Sequence, residues 1–523
     1  MTGNGMIPLR LERASEISLQ EQIYREVRGA ILAGTLRAGA GLPSSRDLAQ
    51  FLGVSRNTAV LAYNRLEEEG YIFKRQGAGT FVSEAVPEAS ASAPAPQDRV
   101  AVAEASGGDR EPRERRVRHP SVLLRPGRLR MAQSGPSTLQ VDFWYGGTNW
   151  RHFPLREWRQ ILTENLSRTS ANVSHYGPPE GILELREAIA AHISVTRAAS
   201  VSADQVIVTA GAQEGLNLIS RLFVQPSIRI AVEDPCYLGA ALVFRSYGAS
   251  LFAIPVDQHG MQTALLQGSG ATLIYVTPSH QFPTGVTMTR ARRTELLDWA
   301  EQNGAYIIED DYDSDFRYDG PPLPSLAGLR NNTSVIYLGT FSKSIGSGLR
   351  TGYLIVPKHL VDAARRAKGL ANYGHPWVEQ IFLSEFLRGG GFARHVRRNR
   401  QQYAQSRAAL LEALAERFGD VQISGAEAGM HIMWQMPEHF PLAEDVCRIA
   451  AGEGVGVYTL SAAGAYETLC AHPRSLILGY ATLTPEGVRS GIAKLKSALV
   501  HEIPGIDGRR PTQRISRPSD ASL

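Results

Sequence analysis

"LGTFSKSIGSGLRTGY", Leu338 to Tyr353, is an apolar run that ends in Thr-Phe-Ser-Lys, with an arginine seven positions beyond the lysine in a glycine-rich turn. A lysine at the mouth of a buried strand loses proton affinity through desolvation and can act as an amine nucleophile toward a carbonyl. A lone Ser-Lys-Ser reads first as a surface lysine in a glycine-rich turn. The flanking sequence has to decide.

Other short apolar runs lie on either side: "QVIVTAG", "RIAVEDP", "TLIYVTP", "AYIIEDDY", "SVIYLGTF" and "TGYLIVP", with amphipathic helical stretches between them. Buried strands alternating with helices predict an α/β domain whose sheet is largely parallel and covered on both faces. From about Pro357, two long helical stretches ("HLVDAARRAKGL" and "FARHVRRNRQQYAQSRAALLEALAERF") and then shorter strand-like runs predict a smaller C-terminal α+β subdomain.

The ends of these strands carry matching chemistry. "IIEDDYDSDFRY" puts Asp310 and Tyr312 after an apolar run. A carboxylate there is costly unless it meets a positive partner, and an ion pair at about 4 Å is worth about 4 kcal/mol at an effective dielectric near 20. A protonated pyridine nitrogen would serve, although a helix cap or a magnesium ligand would also explain the cluster. "VTAGAQEGLNLI" runs strand, glycine turn, helix, so the N–H groups of Gly211, Ala212 and Gln213 could receive a phosphate, or simply make a turn. Thr340 and Arg350 flank Lys343 where that phosphate could be held from its other side. Tyr237, closing "EDPCY", could stack on a flat ring. Together these features describe an aldehyde on a pyridine ring that bears a phosphate.

The N-terminal region has a different logic. "SLQEQIYREVRGAILAGTL" spaces Leu19, Ile23, Val27 and Ile31 as one buried helical stripe. In "LPSSRDLAQFLGVSRNTAVLAYNRLEEEGYI", Ser44 or Ser45 can cap a short helix ending near Leu52. Gly53 supplies the turn, and Ser55 caps a second helix with Ala59, Ala62, Tyr63 and Leu66 inward. This is a helix-turn-helix, whose second helix would present Ser55, Arg56, Asn57 and Thr58 to a DNA major groove. Arginine can pair bidentately with guanine and asparagine with adenine. "YIFKRQGAGTFV" reads as a hairpin wing, with Lys74, Arg75 and Gln76 near a phosphate or the minor groove.

Between the two regions, residues 84–138 form an Ala-, Pro-, Ser-, Glu- and Arg-rich linker. From Arg110 to Arg130 it carries eight arginines against two acidic residues, a net of +6. It is a solvated tether, or an auxiliary phosphate contact. A flexible chain of that length reaches roughly 40 Å.

At 523 residues the chain exceeds one compact core. It has 43% hydrophobic and 20% charged residues, no apolar run long enough to cross a bilayer and no signal-peptide pattern at its start, so a cytoplasmic location is expected. Cys236, Cys447 and Cys470 lie far apart, which supports neither disulfides nor a zinc site, and no metal is expected. The formal charge of +4 permits nucleic-acid binding without requiring it.

Residues from "LPSSRDLA" through "GVSRNT" and "LEEEGYI" to "RQGAGTFV" closely resemble the GntR-type winged helix, which adds Arg46 and Gly77 to the DNA-contact candidates. Residues from about Val141 to Leu499 resemble the fold-type I aminotransferases, and the combination resembles the MocR/GabR-type transcriptional regulators. By that resemblance Lys343 would form an aldimine with pyridoxal 5'-phosphate (PLP), Asp310 would pair with the ring nitrogen, and Tyr312 would contact the ring hydroxyl. Tyr237 would stack on the ring. Thr340, Arg350, Ala212 and Gln213 would hold the phosphate, joined by Tyr176 of the partner subunit in a homodimer, which in this family can be head-to-tail. The resemblance departs from the aminotransferase pattern twice. Phe282 in "SHQFPTG" replaces an asparagine, and Ile477 in "RSLILGYATLTPEG" replaces the arginine that clamps a substrate carboxylate, with Arg474 three residues earlier.

The expected organisation is a winged helix over residues 15–83, a basic flexible linker over 84–138, a large PLP-binding domain over 139–357, a small subdomain over 358–502 and a disordered tail over 503–523. The expected function is a PLP-dependent regulator that binds double-stranded DNA. It would sense a small amine, an amino acid, a sulfonate or PLP itself, and would not work as an enzyme, although a residual transaminase half-reaction stays open. The alternative is a genuine aminotransferase carrying a DNA-binding head.

Overall fold

Ser18, Ser44 and Ser55 each precede a helix, and each side chain accepts the backbone N–H three residues on, from Glu21, Asp47 and Thr58. Such caps satisfy donors that a helix leaves unpaired at its first turn. In this computed structural model the three helices are α1 (Leu19–Leu32), α2 (Ser45–Leu52) and α3 (Arg56–Glu68), with a short strand β1 (Gly41–Leu42) between the first two. Gly53 ends α2 at φ +62°, a left-handed conformation that glycine adopts without strain. The wing is β2 (Ile72–Arg75) paired antiparallel with β3 (Gly79–Val82). β1 pairs with β3 as a third strand that the sequence reading lacked. The core of this unit joins Ile23, Val27 and Ile31 to Leu48, Ala59, Ala62, Tyr63, Leu66 and Val82, while Leu19 is only partly buried.

The structure describes residues 11–13, 15, 17–75, 77–83, 139–168, 175–321, 323–330, 333–469 and 471–503. The expected linker over 84–138 lies outside them, as do Gln76, Cys470 and the expected tail beyond Ile503. The chain divides into two compact units, the first ending at Arg116.

The second unit begins with β4 (Val141–Asp142), α4 (Leu155–Arg168), α5 (Leu183–Thr196), β5 (Val206–Thr209), α6 (Ala212–Phe223), β6 (Arg229–Asp234), β7 (Cys236–Tyr237), α7 (Leu238–Ser246), β8 (Ser250–Asp257) and β9 (Gly260–Met261). It continues through β10 (Leu273–Val276), α8 (Arg290–Asn303), β11 (Tyr306–Asp311), α9 (Leu326–Leu329), β12 (Val335–Thr340), β13 (Gly352–Ile355), α10 (Val361–Asn372), α11 (Trp377–Arg388) and α12 (Gly391–Phe418). It closes with β14 (Gln422–Ser424), β15 (His431–Gln435), α13 (Ala443–Gly452), β16 (Val455–Gly456), β17 (Tyr458–Thr459), β18 (Ala465–Tyr466), β19 (Ser475–Gly479) and α14 (Pro485–Glu502).

Eight strands form the large sheet in the order β5-β13-β12-β11-β10-β6-β8-β9. The run from β12 to β8 is parallel, and β13 is antiparallel to both of its neighbours. Side-chain alternation sends Ile336 and Leu338 of β12 to one face, with α6, α7 and α10, and sends Val335 and Tyr337 to the other. Both faces are therefore apolar, which explains the unbroken hydrophobic runs in these strands. A second, antiparallel sheet of order β14-β15-β19-β17 packs its Trp434 and Leu478 against α12, α13 and α14. β4 pairs with β16, so Val141 and Phe143 belong to this C-terminal core although they precede the large sheet in the chain. Thr209, Asp234, Asp310 and Thr340 all stand at carboxyl ends of the large sheet's strands, where open α/β sheets bind ligands.

Candidate functional site

Lys343 follows β12 by three residues and is partly buried. Its Nζ donates to the Gly146 carbonyl at 3.0 Å and lies 5.7 Å from the centre of the Tyr145 ring. Burial pulls its pKa down, opposed by the charges of Asp313 and Asp310. The amine is thereby brought nearer to its nucleophilic, neutral form.

Asp310 lies on β11, in register with Leu338 of β12. Its Oδ2 accepts the Tyr275 hydroxyl at 2.7 Å, whereas Oδ1 is buried without a partner. Burial pushes this carboxyl up to about 7. Its neighbour Asp311 points to the opposite face, where Arg197 Nε stands 2.8 Å away and Tyr337 donates to it, so it is a structural group. A buried carboxyl with a spare oxygen and a raised pKa suits a cationic N–H donor, and a protonated pyridine nitrogen is one.

The glycine turn before α6 meets Arg350. Gly211 has φ +78°, and a Cβ on it would lie 2.9 Å from Arg350 Nη2. That guanidinium donates to the Ala210 carbonyl at 3.1 Å. The first-turn residues Ala212 and Gln213 therefore share a corner with an exposed arginine, a combination that suits an oxyanion. Gln213 donates to the Gly239 carbonyl at 3.2 Å and accepts from the Tyr237 hydroxyl at 3.4 Å, which ties Tyr237 to the same corner. Thr340 makes its hydrogen bonds locally, to the Ser342 hydroxyl at 3.0 Å and from the Ser342 N–H at 3.2 Å. Tyr312 Oη lies 3.1 Å from His280 Nδ1. Tyr176 stands apart within one chain: it is 88% exposed, with its ring 5.6 Å from that of Tyr373.

Phe282 and Ile477 fall in one apolar cluster with Tyr145, Leu460, Ala463 and Ala465, against which Tyr237 and Tyr312 pack. The Phe282 ring meets those of Tyr237 and Tyr312 edge-on at 6.0 and 6.3 Å. Arg474 donates to the Phe440 carbonyl at 3.0 Å, which makes it a structural residue.

Some neighbours of the site were not anticipated. Glu214 accepts Lys368 Nζ on both oxygens at 2.8 and 2.7 Å, the Asn372 amide at 2.7 Å and the Ala210 N–H at 2.5 Å. It anchors the turn at Gly211 to α10. His280, Asp313 and His431 bring one side-chain donor atom each within 4.8 Å of one another. The histidine stands two residues before Phe282 in "SHQFPTG", a motif read for its phenylalanine alone.

In the N-terminal unit, Arg46, Ser55, Arg56 and Asn57 are exposed, and Thr58 is partly so. Ser55 Oγ lies 2.8 Å from Thr58 Oγ1 and accepts the Thr58 N–H, so this pair is occupied in capping α3. Arg56 and Asn57 are the side chains presented at its first turn. Arg75 is exposed on the wing with its guanidinium 5.9 Å from the Phe81 ring centre, and Gly77 forms the tip at φ +77°. Lys74, exposed on the same wing, donates to Glu67 at 2.6 Å and Asn64 at 3.2 Å.

A winged helix and an aminotransferase-type body occur in one chain. Residues 147–495 match the aminotransferase class I and II family, and residues 19–82 match the bacterial regulatory proteins of the gntR family. The chain is 33% identical to the HTH-type transcriptional regulator YdeL of Bacillus subtilis (strain 168), with 93% of this chain and 98% of that protein covered. It is also 33% identical to the probable rhizopine catabolism regulatory protein MocR of Rhizobium meliloti, over 94% and 96% of the two chains. Among solved structures, it is similar to a kynurenine aminotransferase of Pyrococcus horikoshii, with TM-score 0.64, 28% identity, and 70% of this chain and 92% of that chain covered. The chain belongs to the family of HTH-type transcriptional regulators built from a gntR-type head and an aminotransferase-like domain. No helix among the described residues is long and apolar enough to cross a membrane.

Proposed function

We propose that this regulator holds PLP at Lys343 and takes its signal from PLP itself or from an amine, amino acid or sulfonate that meets the cofactor there. When bound, PLP supplies an electrophilic carbonyl on an electron-poor ring. Lys343 would provide the amine that engages the carbonyl. Asp310 would keep a proton on the ring nitrogen, Tyr312 would face the ring hydroxyl and Tyr237 would lie against the ring. Arg350, Thr340 and the N–H groups of Ala212 and Gln213 would carry the phosphate, with Tyr176 of the partner subunit joining them in a homodimer. The observation that carries this reading is the unpartnered Oδ1 of Asp310, buried on the strand beside the one that leads to Lys343.

Arg56 and Asn57, supported by Arg46, Arg75 and the turn at Gly77, would read double-stranded operator DNA, with Gln76 as a further candidate. The apolar pair Phe282 and Ile477 favours sensing over ordinary amino-acid turnover, because neither can hold a substrate carboxylate. Affinity for an operator recovered from genomic binding sites, measured with and without PLP and candidate amines, tests the proposal. Typical coupling would change affinity about 5- to 150-fold, and an affinity indifferent to every compound would count against it.

The 28% identity to a solved aminotransferase favours a second reading, a working transaminase with a DNA-binding head. Steady-state turnover of at least about 1 s⁻¹ with any amino donor would support that reading instead.

A further inference from the structure

The cofactor reading leaves His280 without a task. It is 1% exposed and lies between a carboxylate and a phenol: Nδ1 is 2.8 Å from Asp313 Oδ2 and 3.1 Å from Tyr312 Oη, while Nε2 faces the Gly425 carbonyl at 3.4 Å. Gly429 closes over the pair at φ +81°, and a Cβ there would collide with the imidazole and with Asp313. The other titratable group against this ring is His431 of β15, whose ring centre is 4.7 Å away and whose Nε2 faces the Pro283 carbonyl at 3.2 Å. Burial pushes the pKa of His431 down. Lys343, Asp310, Tyr145 and Glu233 act on the cluster from further away.

An ionised carboxylate at 2.8 Å from an imidazole nitrogen requires a proton between them, and a carboxylate has none to give. Nδ1 therefore carries hydrogen and cannot accept the Tyr312 proton. The tyrosine O–H must point away from His280, and its oxygen, 3.1 Å from Nδ1, takes the weaker share of the N–H whose nearer acceptor is Asp313 at 2.8 Å. We propose that Asp313 and His280 form a positioning pair that orients the Tyr312 hydroxyl as a donor toward the phenolic oxygen of PLP. This inference rests on the cofactor reading above. His280 touches Tyr312 and acts through it. A donor on that oxygen stabilises its ionised form, so losing the donor raises the pH at which the cofactor's visible absorption changes form.

The test is a pH titration of the visible band in full-length protein loaded with PLP, comparing wild type with Asp313→Asn and His280→Phe. The amide introduced by Asp313→Asn carries no charge to hold hydrogen on Nδ1, which frees the imidazole to take the other tautomer, whose Nδ1 lone pair accepts the Tyr312 proton, with little change in side-chain volume. Both variants are expected to bind PLP and to shift the midpoint upward by about half to one pH unit, the worth of one hydrogen bond. Tyr312→Phe should shift it at least as far, and adding His280→Phe to that background should add nothing. A merely structural pair would not produce that dependence on Tyr312. A wild type without a visible band overturns the cofactor reading and this inference with it. A normal wild-type band with unmoved midpoints in both single variants overturns this inference alone, as does an additive shift in the Tyr312→Phe background. Stoichiometric metal in the purified protein that is lost from the His280 and Asp313 variants would overturn it as well.

Discussion

Asp310 is a carboxyl that the fold stabilises in its protonated form. Its pKa is raised to about 7 by burial, so the unfolded chain ionises at lower pH than the folded one does. The stability it lends is fully present below the unfolded carboxyl pKa and is lost as pH rises toward the folded value. In cofactor-free protein, Asp310→Asn removes that penalty. The stability advantage of the variant over wild type is expected to grow from pH 5 to pH 8 by on the order of 1–3 kcal/mol, as read by denaturant unfolding at the two pH values. An advantage that stays flat or shrinks would show that Asp310 is already ionised in the folded protein. The same substitution removes the charge that PLP would meet, and PLP affinity should fall about 10- to 100-fold, the range for a charged hydrogen bond.

The turn before α6 illustrates how one element is fixed by another. Glu214, in the first turn of α6, is matched by Lys368, whose side chain on α10 is fully buried. Lys368→Met would strand the Glu214 carboxylate, at a cost of about 3–5 kcal/mol, whereas a Glu214→Gln/Lys368→Met double variant should recover most of that loss. A double-mutant cycle by chemical denaturation measures this directly, and additive losses would mean the pair is not coupled. On α3, Arg56→Ala should remove about 1–3 kcal/mol of discrimination between operator and mutated operator and leave PLP spectra unchanged. Unaltered operator preference would move the reading surface elsewhere. Helices and strands of this kind were legible because their signals are local: serine caps, Gly53, and two-sided apolar strands. β1 was not, because two residues carry no periodicity and pair only with a strand some forty residues away. The ion pair of Lys74 with Glu67 was not legible for a related reason, since Glu67 lies on the far side of a turn.

At the scale of the whole molecule, the proposal assigns DNA reading to the first unit and cofactor binding to the second. Lys343→Ala should abolish covalent capture of PLP while leaving operator affinity in the cofactor-free state within about twofold of wild type, since sites that share no partners usually act additively. Loss of DNA binding in a folded variant would deny that division. Much of the candidate site could be anticipated from strand ends alone, because a parallel sheet gathers its carboxyl termini along one edge. Asp310, Thr340 and the turn at Gly211 follow from that rule. Residues brought in from the other lobe do not: Gly146 reaches Lys343 across 197 positions and Gly429 covers His280 from the small sheet's approach, and neither carries a chemical signature in sequence.

The claim on which the account rests is that PLP attaches at one lysine. Full-length protein mixed with PLP, reduced with borohydride, digested and mapped by mass spectrometry should carry the pyridoxyl group on Lys343 and on no other lysine. Absence of the adduct, or its appearance at a different lysine, would contradict the account.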